Sequence, residues 1–253
     1  MQMDDIAKAA ISASIAEFAT FPIDAFKTQL QLGQSRNGGR LDLRRLYRGS
    51  SAAIARHIPY TSIRITLFRA LQDGLGTSFS ATMTSGLVAG APGQLLAAPL
   101  DLIKIRMIAD AKSSHPRYRS LADAAIKITS QEKVMGLWHG SGVAVQRAAL
   151  VNLGELSTYS VVKKTLLDRG HEDTLSTHIA SSLCSGAVST LISNPADVVK
   201  SRMMNSPAST SSIRVLRDVY FEQGWRGLYR GSLATWTRLG PWQLIFWNVF
   251  ERI

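Results

Sequence analysis

The charged chemistry of this chain is concentrated in one string written three times: Pro22-Ile-Asp24-Ala-Phe-Lys27, Pro99-Leu-Asp101-Leu-Ile-Lys104 and Pro195-Ala-Asp197-Val-Val-Lys200. Each string closes a largely apolar stretch. Three acids and three bases held at one depth can pair between neighbouring helices into a closed ring, which is the chemistry of a gate. Arg56, Arg147 and Arg238 form a second threefold set, spaced by 91 residues. A guanidinium is permanently charged and grips a carboxylate or phosphate through two parallel hydrogen bonds, so three of them facing one axis would select anions. Two isolated acids complete the set. Glu17 interrupts an apolar stretch five residues before Pro22, and Glu155 follows Arg147 by eight residues on what should be one inward face. An acid at membrane depth is costly and must take a partner or face water. Both residues therefore read either as ion-pair partners of arginine or as proton-handling carboxylates.

These groups need elements that repeat with them. Leu46-Tyr47-Arg48-Gly49, Leu137-Trp138-His139-Gly140 and Leu228-Tyr229-Arg230-Gly231 place a turn glycine at 49, 140 and 231, again 91 residues apart. A fixed period over the whole chain means three copies of one unit, none able to bury its own apolar face. The expected repeats are 1–75, 76–168 and 169–253. Each supplies two long helices, six in all: about Ile6–Leu32, Ser51–Leu75, Phe79–Ile108, Ser141–Leu167, Thr177–Met204 and Ser232–Ile253. Proline inside a helix removes one hydrogen bond and clashes with the preceding turn, so the odd helices should kink at Pro22, Pro99 and Pro195. The expected fold is thus an all-α membrane protein of six helices around a central cavity. Ala9, Ala13 and Ala16 on the first helix, Gly86 and Gly90 on the third, and Ser182 and Gly186 beside Cys184 on the fifth are expected to allow close packing, with Cys184 a small buried thiol. The first copy is short: 25 residues separate Asp24 from Gly49, against 39 from Asp101 to Gly140 and 34 from Asp197 to Gly231. Its siblings use that interval for amphipathic stretches, Leu121–Glu132 and Ile213–Glu222, that read as surface helices. The first copy has only the polar link Gly33–Arg45.

Px[DE]xx[KR] written three times, each followed by an aromatic-basic-glycine turn, resembles the mitochondrial carrier family (solute carrier family 25). Arg202-Met203-Met204-Asn205-Ser206-Pro207 and Glu155-Leu156-Ser157-Thr158-Tyr159 are similar to its uncoupling-protein branch and dicarboxylate-carrier neighbours. The resemblance implies an inner-membrane, multi-pass transporter working by alternating access. It implies that Arg56, Arg147 and Arg238 contact substrate, that Asp24, Lys27, Asp101, Lys104, Asp197 and Lys200 form the matrix gate, and that Gln29, Arg106 and Arg202 brace it. It implies proton or substrate handling for Glu17, a small anionic solute or fatty acid as cargo, a purine nucleotide as inhibitor, cardiolipin as lipid partner and a monomer. The family's second gate, [FY][DE]xx[KR], survives poorly: Phe68-Arg69-Ala70-Leu71-Gln72, Tyr159-Ser160-Val161-Val162-Lys163 and Phe250-Glu251-Arg252-Ile253 keep only Glu251 and Lys163, which predicts a weak cytoplasmic gate.

The bulk numbers agree with this reading. The net charge of +11 suits anionic lipid and anionic solute, and no zinc ligands or recognition helix accompany the basic loops, so nucleic acid is not expected as a partner. Mean hydropathy is near neutral, as a bundle with a polar interior should be. Thr77–Leu100 and Ile179–Ala196 carry no charge and are close to the roughly 20 residues that span a bilayer. The start, Met1-Gln2-Met3-Asp4-Asp5, lacks a signal or transit pattern, so targeting is expected to be internal. One cysteine excludes an internal disulfide. There is no glycine-rich phosphate loop, no spaced metal ligands and no cofactor motif, and His57 reads as pore-lining or packing; an enzyme is not expected. Three readings stay open: an uncoupling-type carrier that dissipates a proton gradient, a dicarboxylate or related anion exchanger, and a shortened non-transporting variant that acts through a partner.

Overall fold

The computed structural model describes residues 3–33, 43–76, 79–111, 113, 116–170, 172, 174–207 and 210–252. It is all-helical. Six long helices, α1 (Met3–Gln31), α3 (Ser50–Leu75), α4 (Phe79–Asp110), α6 (Ser141–Asp168), α7 (Leu175–Asn205) and α9 (Ser232–Arg252), alternate with shorter pieces. These are α2 (Leu43–Leu46), α5 (Leu121–Glu132), a 3-10 turn at Val134–Trp138, and α8 (Ser212–Leu228). Packing runs α1 to α3, α3 to α4, α4 to α6, α6 to α7, α7 to α9 and α9 back to α1, which closes a ring of six. The surface helices fall where the amphipathic stretches stand in the sequence. Ser120 caps α5 by accepting a hydrogen bond from the Asp123 amide. α8 runs past the expected Glu222 and breaks at Gly224, whose φ is 60° and ψ is −159°. The shortened first repeat has only the four-residue α2 here; residues 34–42 lie outside the described part.

The bundle is inverted relative to a soluble protein. Ser12, Glu17, Thr20, Asp24, Gln94, Ser181, Ser185 and Asn194 are buried, while Ile11, Ile15, Phe18, Val88, Leu95, Leu96, Leu183, Leu191 and Ile192 are exposed on the same helices. Among the described residues, no helix is long and apolar enough, taken alone, to cross a membrane. Length is not what fails: at about 1.5 Å per residue the six long helices reach the roughly 30 Å of a hydrocarbon core. Apolarity fails because each helix devotes one face to a polar interior. The charge-free stretch Ile179–Ala196 illustrates this, since Ser181, Ser185, Ser189, Thr190, Ser193 and Asn194 are all turned inward.

Pro22, Pro99 and Pro195 lie inside helices rather than ending them, and so do Pro59, Pro92 and Pro241. At Pro99 the carbonyl left without a helical donor is that of Leu95, four residues earlier, and Trp138 Nε1 donates to it at 2.9 Å. The turn glycines have one job. Gly49, Gly140 and Gly231 take a positive φ just before α3, α6 and α9, and a Cβ there would press on Lys104 O, Met204 Cγ, or Lys27 O and Gln31 Cγ. Each repeat's turn thus seats on the first long helix of the next repeat, cyclically.

Two packing expectations need correcting by a shift of phase. Gly90 would carry a Cβ without meeting anything, and the close approach on α4 is made by Gly93, against the Tyr60 carbonyl of α3; the side-chain surroundings of Gly86 are outside the description. On α7 Ser181, Ser185 and Ser189 are buried, whereas Ser182 is exposed and Gly186 half-buried, and Ser189 meets α6. Ser189 lies 3.0 Å from where a Gly154 Cβ would stand and donates to Val151 O. Cys184 accordingly points outward and is exposed. A helix with polar residues on both sides of its midline does not reveal from sequence which polar stripe faces in.

Candidate functional site

The motif acids and bases meet where α1, α4 and α7 converge. Lys104 Nζ lies 2.6 Å from Asp24 Oδ2, Lys200 Nζ 2.7 Å from Asp101 Oδ2, and Lys27 Nζ 2.9 Å from Asp197 Oδ2. Each lysine reaches the aspartate of the preceding repeat, so the three pairs form a closed ring. The phase that produces this is local. Asp and Lys three residues apart lie on one side of a helix, and the third repeat closes back on the first.

The three arginines come from α3, α6 and α9 onto the same carboxylates. Arg56 Nε is 3.3 Å from Asp101 Oδ1, Arg238 Nη1 is 2.5 Å from Asp24 Oδ1, and Arg147 Nε donates to Asp197 Oδ1. The Arg56 Nε and Arg238 Nη1 contacts are ion pairs without hydrogen-bond alignment. Every aspartate therefore holds one lysine and one arginine from different helices. The arginine side chains keep 20–33% of their surface, the lysines 11–15%, so the guanidinium layer lies on the more open side and the ammonium layer is deeper.

Glu17 joins this cluster from the first repeat. It is almost wholly buried, its Oε1 lies 2.8 Å from Lys104 Nζ and 3.6 Å from Arg238 Nη1, and its Oε2 lies 3.7 Å from His57 Nε2. Among the described residues the cluster holds three guanidinium and three ammonium groups against four carboxylates. Its excess of two positive charges is confined to a buried space, where Coulomb forces are much stronger than in water. Glu155 lies on α6, but its side chain falls outside the described part.

Below the lysine ring the repeats are tied to their surface helices. Arg106 forms a two-pronged contact with Glu132, Nη1 to Oε1 at 2.9 Å and Nη2 to Oε2 at 2.8 Å, and its Nε donates to Met204 O. Arg202 Nη1 meets Glu222 at 2.9 Å and its Nε donates to Gln31 O. On α1 the cross-repeat tie is thus made by Gln31, whose Oε1 also accepts from Ser201; Gln29 is half-buried beside it. The resemblance points to Gln29 as the brace on α1, and the helix phase brings in Gln31 two residues on. Arg48 of the first turn donates to Tyr118 O in the next repeat. At the opposite end of the bundle Tyr159 Oη lies 2.6 Å from His178 Nδ1, a pair the sequence reading did not bring together. The Glu251 side chain lies outside the described part. His139, where the sister turns carry arginine, has its imidazole held below the ordinary range by burial and by the neighbouring Arg106 charge. Among the described residues no group of side chains could hold a metal ion.

The mitochondrial carrier protein family matches this chain three times, over residues 2–79, 75–170 and 171–253. The chain belongs to the mitochondrial carrier family. This carrier is a multi-pass protein of the mitochondrial inner membrane, and it is a transporter, not an enzyme. Mitochondrial uncoupling protein 3 of Arabidopsis thaliana is 40% identical over 278 aligned positions, covering 96% of this chain and 91% of the relative. Mitochondrial uncoupling protein 4C of Drosophila melanogaster is 30% identical, covering 96% of this carrier and 84% of the relative. The mitochondrial dicarboxylate carrier of Caenorhabditis elegans is 30% identical, covering 96% and 90%.

Proposed function

We propose that this carrier moves small anions, fatty-acid anions among them, across the inner membrane by alternating access, and that the associated proton flux dissipates the gradient as an uncoupling protein does. The observation that carries the reading is the cluster of six cations and four carboxylates, with its guanidinium layer toward the open side. An arriving carboxylate or phosphate competes with Asp24, Asp101 and Asp197 for Arg238, Arg56 and Arg147. Two of those contacts lack hydrogen-bond alignment, so little is lost when an anion takes the guanidinium over. In this reading the lysine ring is the matrix gate, closed in the present state, and Arg106 and Arg202 brace it through Glu132 and Glu222. Freeing the aspartates from their arginines weakens one of two hands on each carboxylate and lowers the cost of opening the ring.

The second gate has few matching charges in its sequence, so the state closed at that end is poorly held and cargo binding must supply most of the shift. The similarity to uncoupling proteins at 30–40% identity favours proton dissipation. The 30% identity to a dicarboxylate carrier supports a second reading, exchange of dicarboxylates or related anions by the same arginines. Proteoliposomes separate the two. Uptake of malate, sulfate and phosphate is measured beside proton flux with and without fatty acid. Fatty-acid-dependent proton flux with slow anion exchange supports the first reading, brisk malate exchange without proton flux the second, and neither activity would defeat both.

A further inference from the structure

The first repeat carries a titratable pair that its siblings lack. Seven residues before each motif aspartate stand Glu17, Gln94 and Thr190. Gln94 Nε2 donates to Asp101 at 2.7 Å, and the Thr190 hydroxyl donates to the Gly186 carbonyl; neither can titrate. Beside Arg56 stands His57, where the other repeats have Ala148 after Arg147 and Leu239 after Arg238. His57 is 5% exposed, and its Nε2 has no hydrogen-bond partner although Glu17 Oε2 is 3.7 Å away. That separation is beyond hydrogen-bond reach. The carboxylate is held off by Lys104 on α4, 2.8 Å from its other oxygen, and by Arg238 on α9. The charged groups around His57 are Glu17 from α1, Arg56 on its own helix and Lys104 from α4; Asp24 and Arg238 act on it through the cations and carboxylate they share with Glu17.

We propose that His57 and Glu17 form a proton-binding site coupled to anion occupancy of the arginine layer. An anion seated on Arg56 and Arg238 draws Arg238 away from Glu17 and offsets the positive excess of the cluster. Glu17 Oε2 then closes on the imidazole, which takes one proton from water so that both ring nitrogens carry hydrogen, and the imidazolium pairs with the carboxylate. No other bond is made or broken. The coupling is reciprocal, so lower pH must tighten anion binding. Proton uptake would give anion movement a proton partner located on a residue of the first repeat alone. The inference rests on the anion-carrier reading above.

The test uses the full chain in lipid nanodiscs with sulfate as the probe, because sulfate keeps both charges across the range in which imidazole titrates, and any proton taken up belongs to the protein. Titration calorimetry in two buffers of different ionisation heat counts protons. About one proton is taken up per sulfate near pH 6.5, and affinity rises up to about tenfold per pH unit on acidification, the limit for one linked proton. His57→Gln binds sulfate without proton uptake and with a flat pH dependence. Sulfate binding to the unaltered protein with no proton uptake overturns the proposal, as does uptake retained in His57→Gln or lost only in Glu155→Gln. Should His57→Gln not fold, His57→Asn replaces it and the proton count on the unaltered protein still decides. If neither sulfate nor malate binds at all, the anion reading itself falls and takes this inference with it.

Discussion

Asp24 in the first repeat shares Lys104 and Arg238 with a second carboxylate, Glu17, whereas Asp101 and Asp197 are the sole carboxylates on their lysine and arginine among the described residues. The first repeat is also shorter between its motif and its turn, where the helix among the described residues is the four-residue α2. The second and third keep α5 and α8 and bind them through Arg106–Glu132 and Arg202–Glu222. The contrast separates two kinds of residue. The features that obey the threefold rule, namely the lysine ring, the arginine layer and the turn glycines, close the bundle. The features that break it, Glu17, His57, Lys133 and His139, are where this chain departs from a symmetric scaffold and where its individual chemistry should be sought.

Removing a ring carboxylate tests that contrast most strongly. Asp101→Asn leaves Lys200 and Arg56 buried without an acid, and stripping one partner from a buried pair costs about 3–5 kcal/mol. Asp24→Asn leaves Glu17 to serve Lys104 and Arg238, so its loss is clearly smaller. Melting temperatures of the two variants in nanodiscs measure the difference, and equal losses would mean that Glu17 does not back up Asp24. Next come the ties to the surface helices. Glu132→Gln breaks a largely buried two-pronged pair and is expected to cost about 1.5–3 kcal/mol. Glu222→Gln, at a carboxylate that is 59% exposed, should stay within about 0.5 kcal/mol. Interchangeable effects would show that α5 and α8 are held alike.

Lys133 and Gly224 occupy matching places seven residues before their turn glycines, and both take φ near 60°. Glycine adopts that conformation freely, whereas lysine adopts it only at a cost in strain. Lys133→Gly should therefore stabilise by about 1 kcal/mol, while Gly224→Lys destabilises; a loss of stability in the first would show that lysine's side chain offsets the strain. The smallest effect concerns pH. His139 is held below the ordinary imidazole range when folded, so the unfolded chain binds more protons. Its contribution is complete above the ordinary value near 6.5 and shrinks as pH falls toward the folded value. His139→Gln should flatten the melting temperature between about pH 6.5 and 5, and an unchanged profile would remove His139 from the account.

The threefold scaffold was legible because it is written in spacing. Asp24, Asp101 and Asp197 with their lysines, the arginines 91 residues apart and the turn glycines fix which helices exist and which groups share a depth. The partners were not legible. That Lys104 serves both Asp24 and Glu17, that Gln31 ties α1 to α7, and that Ser189 meets α6 while Ser182 is exposed all depend on helix phase to within one residue, which an interior with polar groups on several faces does not declare. The pairing of Glu17 with His57 was out of reach for the same reason: Glu17 stood out as an ion-pair partner or proton-handling carboxylate, but His57 lies on another helix and alone resembles pore-lining or packing. Trp138 capping the Leu95 carbonyl had a sequence signal, an indole two residues before the turn glycine where the sister repeats carry tyrosine, but no sequence rule names its acceptor.

The claim beneath these comparisons is that the arginine layer, with its uncompensated charge, is where cargo binds. Thermal stabilisation of the purified carrier by malate, sulfate, fatty acid and purine nucleotide, in the unaltered protein and in Arg147→Ala, tests it most directly. The account predicts that at least one of these anions raises the melting temperature of the unaltered protein and that the rise is abolished in Arg147→Ala. An equal rise in both proteins would place the anion elsewhere and contradict the account.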